Sequence, residues 1–488
     1  MGEKNLKNKT IKGLLWSGID KFSYELIQFT VGIIMARLLM PSDYGVVGII
    51  MVFVSFSTLF IEGGLTTALI QKSNRTEDDF NTAFVYNLGM AIFIYIVLFF
   101  SAPFIANVYK NPDIEPLLRV ITLNLIISSF STVQNTRLTI NLDFKKISIV
   151  SVSASLLSGI VGILMAYNGF GVWALVSQQI TINILRTILL YVVSHWHPLF
   201  RFSKKSFKEL FGFSSRLILT NLLARVYDNL YPLIIGKLYP FKTLGYYTRA
   251  HQYSALPVNI MRDMFNRVSF PVLSSIKEDT DRLRRMYRIY IEMSSAVIFP
   301  VMFILIVVSK PLILLMLTEK WEPTVPFMQI LCLGGMFSHI SAINLNLLYV
   351  KGRSDLALKL EVLKKLVAIS ILVVSTFWGI WGICIGQAVY SVVAVLLNSK
   401  YTNRLIFLSF VQQIKDFGGV WLLAALSAIV PYIVMGFVDD NVIQIVVAAL
   451  LYVLIYVVIH FVLKTHSFEL CRDIVNKQLK RRYNNSEQ

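Results

Sequence analysis

Apolar residues fall in long blocks, with no short-period alternation. The blocks are centred near residues 27, 57, 93, 126, 157, 183, 223, 257, 300, 337, 367, 391, 425 and 452. Each extends over about 20 residues, the length an α-helix needs to cross a hydrocarbon layer. In that solvent every backbone amide and carbonyl must be satisfied within its own segment, so the blocks predict helices and exclude open strands. The pattern predicts an all-α, polytopic membrane fold with about 14 transmembrane helices. The first, seventh and eighth blocks hold more polar residues than the others, which predicts a face turned away from lipid.

Loop charge gives the blocks a direction. Lys and Arg gather in alternate connections: Lys4/Lys7/Lys9, Lys72/Arg75, Lys145/Lys146, Arg201/Lys204/Lys205, Lys277/Arg282/Arg284/Arg285, Lys351/Arg353, Lys400/Arg404 and Lys477/Lys480/Arg481/Arg482. The intervening connections are nearly bare, which by the positive-inside rule places both termini on the cytoplasmic side of the membrane. An even number of spans follows. No cleavable leader is expected, because the basic N-terminus runs into a long first span without a small-residue cleavage pattern.

Composition agrees: 56% of the 488 residues are hydrophobic and 15% charged. The net charge of +18 is spread over short loops instead of forming one basic domain, so topology explains it and a nucleic-acid partner is not expected. Cys332, Cys384 and Cys471 lack metal or redox spacing and read as packing residues. Trp196, Tyr239 and Trp321, near span ends, read as parts of interfacial belts.

The chain also matches itself at a shift of about 200 residues, as many transporters do. Ile33-Ile34-Met35-Ala36-Arg37-Leu38 followed by Gly45 aligns with Leu233-Ile234-Ile235-Gly236-Lys237-Leu238 followed by Gly245. Gly171-Val172 likewise corresponds to Gly382-Ile383. The expected organisation is an N-terminal six-helix bundle over 1–200, its repeat over 201–404, and two accessory helices with a basic cytoplasmic tail over 405–488.

These motifs resemble the polysaccharide-exporting, Wzx-type branch of the multidrug/oligosaccharidyl-lipid/polysaccharide exporter superfamily, with the colanic-acid-exporter-like subgroup most similar. The resemblance spans nearly the whole chain. Its most specific part is Asp228-Asn229-Leu230-Tyr231-Pro232-Leu233-Ile234-Ile235-Gly236, then Leu244-Gly245-Tyr246-Tyr247-Thr248-Arg249-Ala250, then Phe270-Pro271. Pro41-Ser42-Asp43-Tyr44-Gly45 and Gly169-Phe170-Gly171-Val172-Trp173-Ala174 are also similar. The resemblance implies a V-shaped pair of bundles around a central cavity lined by the first, second, seventh and eighth spans. It implies an undecaprenyl-diphosphate-linked glycan as cargo, membrane lipids and polysaccharide polymerase machinery as partners, and no cofactor.

Ionisable side chains in the apolar blocks locate the candidate site, because each costs several kcal/mol in hydrocarbon and turns to a cavity or a partner. The first span carries Asp20, Lys21 and Glu25; the seventh, Arg216, Arg225 and Asp228; the eighth, Arg249, Arg262, Asp263 and Arg267. Helical spacing lets Lys21 neutralise Glu25 and Arg225 neutralise Asp228. Arg216, Arg249 and Arg262 lack an acidic neighbour at the best spacing, and guanidinium forks suit phosphate oxygens. Asp20, Lys21, Glu25, Arg216, Arg225, Asp228, Arg249 and Arg262 are therefore the candidate cavity residues. Arg37, Lys237 and Arg267 read as interfacial anchors, Glu62, Glu292, His251 and His339 as hydrogen-bonding groups, and the cluster from Arg282 to Arg288 as topology or headgroup contact.

The chemistry expected is flipping of a lipid-linked oligosaccharide by alternating access, for O-antigen, capsule or exopolysaccharide biosynthesis. A cation-coupled multidrug exporter would need acidic cavity residues, which the arginine excess opposes. A membrane-embedded glycan-processing enzyme would need a catalytic constellation. No phosphate loop, metal-ligand cluster or nucleophile motif is present in the sequence.

Overall fold

A computed structural model of the chain describes residues 3–62, 64–465 and 469, without the side chains of 3–15, 62, 213, 215–221, 223, 224, 227, 228 and 263–268. Cys471, the tail residues Lys477, Lys480, Arg481 and Arg482, and the side chains of Lys4, Lys7, Lys9, Glu62, Arg216, Asp228, Asp263 and Arg267 lie outside the described set. Among the described residues every regular element is a helix: α1 Glu3–Leu38, α2 Pro41–Glu62, α3 Leu65–Gln71, α4 Glu77–Val108, α5 Ile114–Ile121, α6 Leu123–Ile140, α7 Phe144–Tyr167, α8 Val172–Ser194, α9 Lys204–Leu238 and α10 Phe241–Ser275. There follow α11 Thr280–Val307, α12 Ser309–Leu317, α13 Thr324–Gly335, α14 Ser338–Val350, α15 Ser354–Thr376, α16 Gly379–Ile406, α17 Phe410–Met435 and α18 Asn441–Val462.

Thirteen of the fourteen predicted block centres fall inside these helices, and the one near 337 falls at the two-residue break between α13 and α14. Ten helical segments among the described residues are both long and apolar enough to cross a membrane. Helices α1, α9, α10 and α15 run for 36, 35, 35 and 23 residues but are more polar. The chain is an all-α, multi-pass membrane protein. Its outer apolar surface is what lipid requires and water would not tolerate: on α18, Leu450, Leu454 and Phe461 are each at least 60% exposed.

The chain forms two compact units, residues 1–248 and 249–488. In the N-terminal unit α7 carries small residues at helical spacing, namely Ser151, Ala154, Ser155, Ser158, Gly159 and Gly162, and most are fully buried. Between membrane helices such a stripe lets backbones approach closely, so that van der Waals contact replaces the missing hydrophobic drive. Here α1 fills it. A Cβ on Gly159 would stand 2.5 Å from Val31 Cγ2, and Gln28 Nε2 donates to Ser155 Oγ at 2.9 Å.

At the other side of this unit, α4 opens on a capping box made by Thr76 and Asp79, which satisfies two otherwise orphaned amides. Its first turn also ties down the connection from α8 to α9. Glu77 accepts from Trp196 Nε1 at 2.9 Å, Asn81 Oδ1 from the Leu199 amide at 2.7 Å, and Thr82 Oγ1 from the Ser203 amide at 3.0 Å. Trp196 therefore does not join an interfacial belt. It is buried against Phe80 and Phe84, because its indole N–H finds a carboxylate there. Trp321 is likewise fully buried, which corrects the second belt assignment.

In the C-terminal unit buried polar side chains bind α17 to the helices before it. Thr402 Oγ1 donates to Asn344 Oδ1 at 2.5 Å, and Asn344 Nδ2 donates to Gln413 Oε1 at 3.0 Å. Tyr452 donates to the Ala424 carbonyl at 2.9 Å and Tyr456 to the Ala296 carbonyl at 3.1 Å, so α18 is held to α17 and α11. In hydrocarbon such bonds add modest energy, about 0.6 kcal/mol each, and fix the register of greasy surfaces that would otherwise slide. Cys332 and Cys384 are buried free thiols.

Candidate functional site

The segments that the sequence aligns have one local geometry. Helix α1 ends on a turn containing Arg37 and α9 on a turn containing Lys237. Two residues follow in each case before α2 starts at Pro41 and α10 at Phe241. The starts of α2 and α10 then meet reciprocally: a Cβ on Gly45 would lie 1.9 Å from the Phe241 carbonyl oxygen, and one on Gly245 would lie 1.8 Å from that of Pro41. Only glycine permits backbone to press on backbone in this way. Beside them, Gly236 accepts the tip of Ile49 and the rings of Tyr231 and Tyr247 stack at 6.5 Å. Lys237 Nζ donates to the Val108 carbonyl at 2.5 Å, so this expected interfacial anchor is tied to α4.

The candidate charges separate into groups. On α1, Lys21 and Glu25 are exposed. Asp20 is half-buried, hydrogen-bonded to Ser151 and within electrostatic reach of Arg186. Thus α1 shares its polar face with α7 and α8. On α9, Arg225 is exposed and donates to Ser55 Oγ of α2 at 3.1 Å. Asn229, one turn on, donates to the Arg225 carbonyl at 2.8 Å. The Arg216 and Asp228 side chains lie outside the described residues, so the expected Arg225 to Asp228 pairing is not among the contacts seen; Ser55 is the partner present.

In the C-terminal unit Arg249 is 8% exposed and donates to Gln252 Oε1 at 2.6 Å. Arg262 is exposed and donates to Asn259 Oδ1 at 3.0 Å. It lies on the wall of a cavity with Glu361 and Lys364 of α15. Sequence reasoning missed both α15 residues. The one available signal was their spacing of three in a helix that also holds Lys359 and Lys365, a pattern that usually marks a solvated face.

Other conspicuous charges are committed to structure. Arg137 Nη1 donates to both carboxylate oxygens of Glu77, at 2.7 and 2.9 Å, and its guanidinium lies 4.6 Å from the Phe80 ring centre. Lys72 bridges Asp79 and Glu209 at 2.8 and 2.9 Å. Partial burial works against its ammonium, but these hydrogen bonds hold it above the ordinary lysine range. Arg288 grips Asp416 of α17 with a fork at 2.6 to 3.0 Å, which removes it from the cluster read as headgroup contact. His339 is fully buried between Ser295 Oγ and the Met336 carbonyl, as expected of a hydrogen-bonding residue.

Comparison with known proteins agrees with this architecture. The chain is 27% identical over 403 residues to a Klebsiella pneumoniae protein described as an uncharacterized membrane protein in the cps region, covering 81% of this chain and 82% of that one. It is 24% identical over 400 residues to the Escherichia coli lipopolysaccharide biosynthesis protein WzxC, covering 81% of each. Among solved structures, the lipid II flippase MurJ in an inward closed conformation superposes with a TM-score of 0.71 at 16% identity, covering 92% of this chain and all of that one, which establishes a shared fold. Residues 34–326 match the family described as polysaccharide biosynthesis protein, and that match, over more than half of the chain, makes this protein a member of that family.

Proposed function

We propose that the protein is a flippase carrying a lipid-linked oligosaccharide, attached to a polyprenyl diphosphate, from the cytoplasmic to the outer leaflet for polysaccharide biosynthesis. The observation that carries this reading is the concentration of charge on α1, α9, α10 and α15 in a chain whose other long helices are apolar enough to cross a membrane. Charge in a membrane helix is retained where it meets a partner, a cavity or a cargo. Arg225 uses part of a five-donor guanidinium on a neutral protein partner, which leaves fork donors for phosphate oxygens. The family membership and the names of the relatives, which concern lipopolysaccharide biosynthesis and lipid II flipping, support the same class of cargo.

In this reading α1, α9, α10 and α15 also cross the bilayer, giving 14 spans, with both termini cytoplasmic and two six-span repeats over 1–200 and 201–404. The reciprocal glycines lie at the outer end and let the first turns of α2 and α10 close there, one half of an alternating-access cycle. The candidate cargo residues in this reading are Asp20, Lys21, Glu25, Arg216, Arg225, Asp228, Arg249 and Arg262, charged positions within α1, α9 and α10. The protein performs no covalent step. Deletion of the gene in a strain without a redundant transporter tests the reading: lipid-linked repeat units should accumulate on the cytoplasmic side and surface polysaccharide should vanish. Unchanged surface polysaccharide would refute it.

A further inference from the structure

The C-terminal unit contains a cavity of about 260 Å³ between α10, α14, α15 and α16, with Arg262, Ser338, Ser341, Glu361, Lys364 and Ser391 on its wall. That is several times the volume of one liquid water, about 30 Å³, and room for a phosphate group with water to spare. Among the described side chains it holds two cations against one carboxylate.

Lys364 is 6% exposed and its ammonium pairs with Glu361, one turn earlier. An ammonium has three donors, and a buried one is costly unless acceptors satisfy them. The ion pair with Glu361 is its one polar contact among the described residues.

The rest of the wall also presents donors. Helix α14 restarts at Ser338 with no side-chain cap, so the positive end of its dipole lies at the cavity, where anions are favoured. Ser338 Oγ is shielded from solvent without a hydrogen-bond partner. Ser341 Oγ accepts from Asn398 Nδ2 at 2.6 Å, which leaves its own proton to donate. Arg262, exposed at the rim, uses one nitrogen on Asn259 and keeps the remainder of its fork.

We propose that this cavity is a phosphate-binding site. Lys364, Ser338 and Ser341 hold the phosphate oxygens inside, and Arg262 closes on them from the rim. The ammonium and the donor-rich wall exclude a metal cation. The ligand chemistry is a phosphate group, free or at the head of a prenyl-linked lipid; only the choice of the lipid-linked source rests on the export reading above.

The test is equilibrium binding of radiolabelled pyrophosphate and of farnesyl diphosphate to the full-length protein in lipid nanodiscs. The double substitution Lys364→Met with Glu361→Gln removes both buried charges together, and Ser338→Ala removes one hydroxyl at little structural risk. Thermal unfolding verifies that both variants fold. The expected result is binding weakened at least tenfold in the double variant and several-fold in Ser338→Ala. If both probes show the loss, the site reads phosphate from either source; if farnesyl diphosphate alone shows it, the site reads the lipid-linked form. No binding of either probe, or unchanged affinity in both folded variants, overturns the proposal. The two readings fail separately: Lys364-dependent binding together with normal surface polysaccharide in the deletion strain refutes export and leaves the site, whereas lost polysaccharide with Lys364-independent binding does the reverse.

Discussion

The hairpin of α1 and α2 and that of α9 and α10 share their ends and differ in their middles. At the ends, both break for two residues, both place a basic residue in the last turn before the break, and each sets a glycine on the other's backbone carbonyl. In the middles, α1 carries the mixed charges Asp20, Lys21 and Glu25. By contrast, α9 and α10 carry Arg225, Arg249 and Arg262 together with three internal prolines, Pro232, Pro257 and Pro271. Prolines in membrane helices free backbone groups that water or neighbouring side chains can satisfy. Shared ends with divergent middles indicate that the ends serve the fold, whereas the second hairpin carries the arginines on which the export reading depends.

The most damaging way to test that distinction is at the ends. Gly45→Ala or Gly245→Ala forces a Cβ into a carbonyl that cannot yield without shifting a helix, so about 1–3 kcal/mol of stability should be lost and surface polysaccharide with it. Thermal unfolding in detergent and polysaccharide staining read the two losses, and wild-type values in both variants would show that the helices part at no cost.

Next in size is Arg249→Ala, which empties a buried position and removes a charge-assisted hydrogen bond. About 1.5–3 kcal/mol should appear as an export rate at least tenfold lower, with normal amounts of protein in the membrane. Arg225→Ala should cost less, because its guanidinium is exposed, and Arg225→Lys should restore only part of the loss, since an ammonium cannot form the fork. Equal export by wild type and Arg225→Ala would remove Arg225 from the pathway. The smallest effect is expected at Trp196→Phe, away from both hairpins: loss of the bond to Glu77 should lower stability by about 1 kcal/mol and leave export per folded molecule unchanged.

Much of this was legible in the sequence, for physical reasons. Hydrophobic length located the helices, since lipid leaves the backbone no alternative, and the offset between Gly45 and Gly245 marked two corresponding turns, though not that they meet. What was not legible depends on burial. Lys364 and Glu361 drew no reading from the sequence, since a charge pair three apart usually marks a solvated face, and only the packing of α14 and α16 around them encloses a cavity. Trp196 read as a belt residue because its carboxylate partner, Glu77, is 119 positions away. The contact that Arg225 makes with Ser55, 170 positions earlier, is likewise one that spacing along α9 could not show.

The central claim is that the protein moves a diphosphate-linked glycan across a bilayer. Proteoliposomes of the purified protein, loaded in one leaflet with a fluorescent prenyl-diphosphate oligosaccharide and probed by an impermeant quencher or lectin, measure this directly. The account predicts protein-dependent equilibration between leaflets that falls at least tenfold with Arg249→Ala. Equilibration no faster than in protein-free vesicles, with folded protein and under applied Na⁺ and proton gradients of either sign, would contradict it.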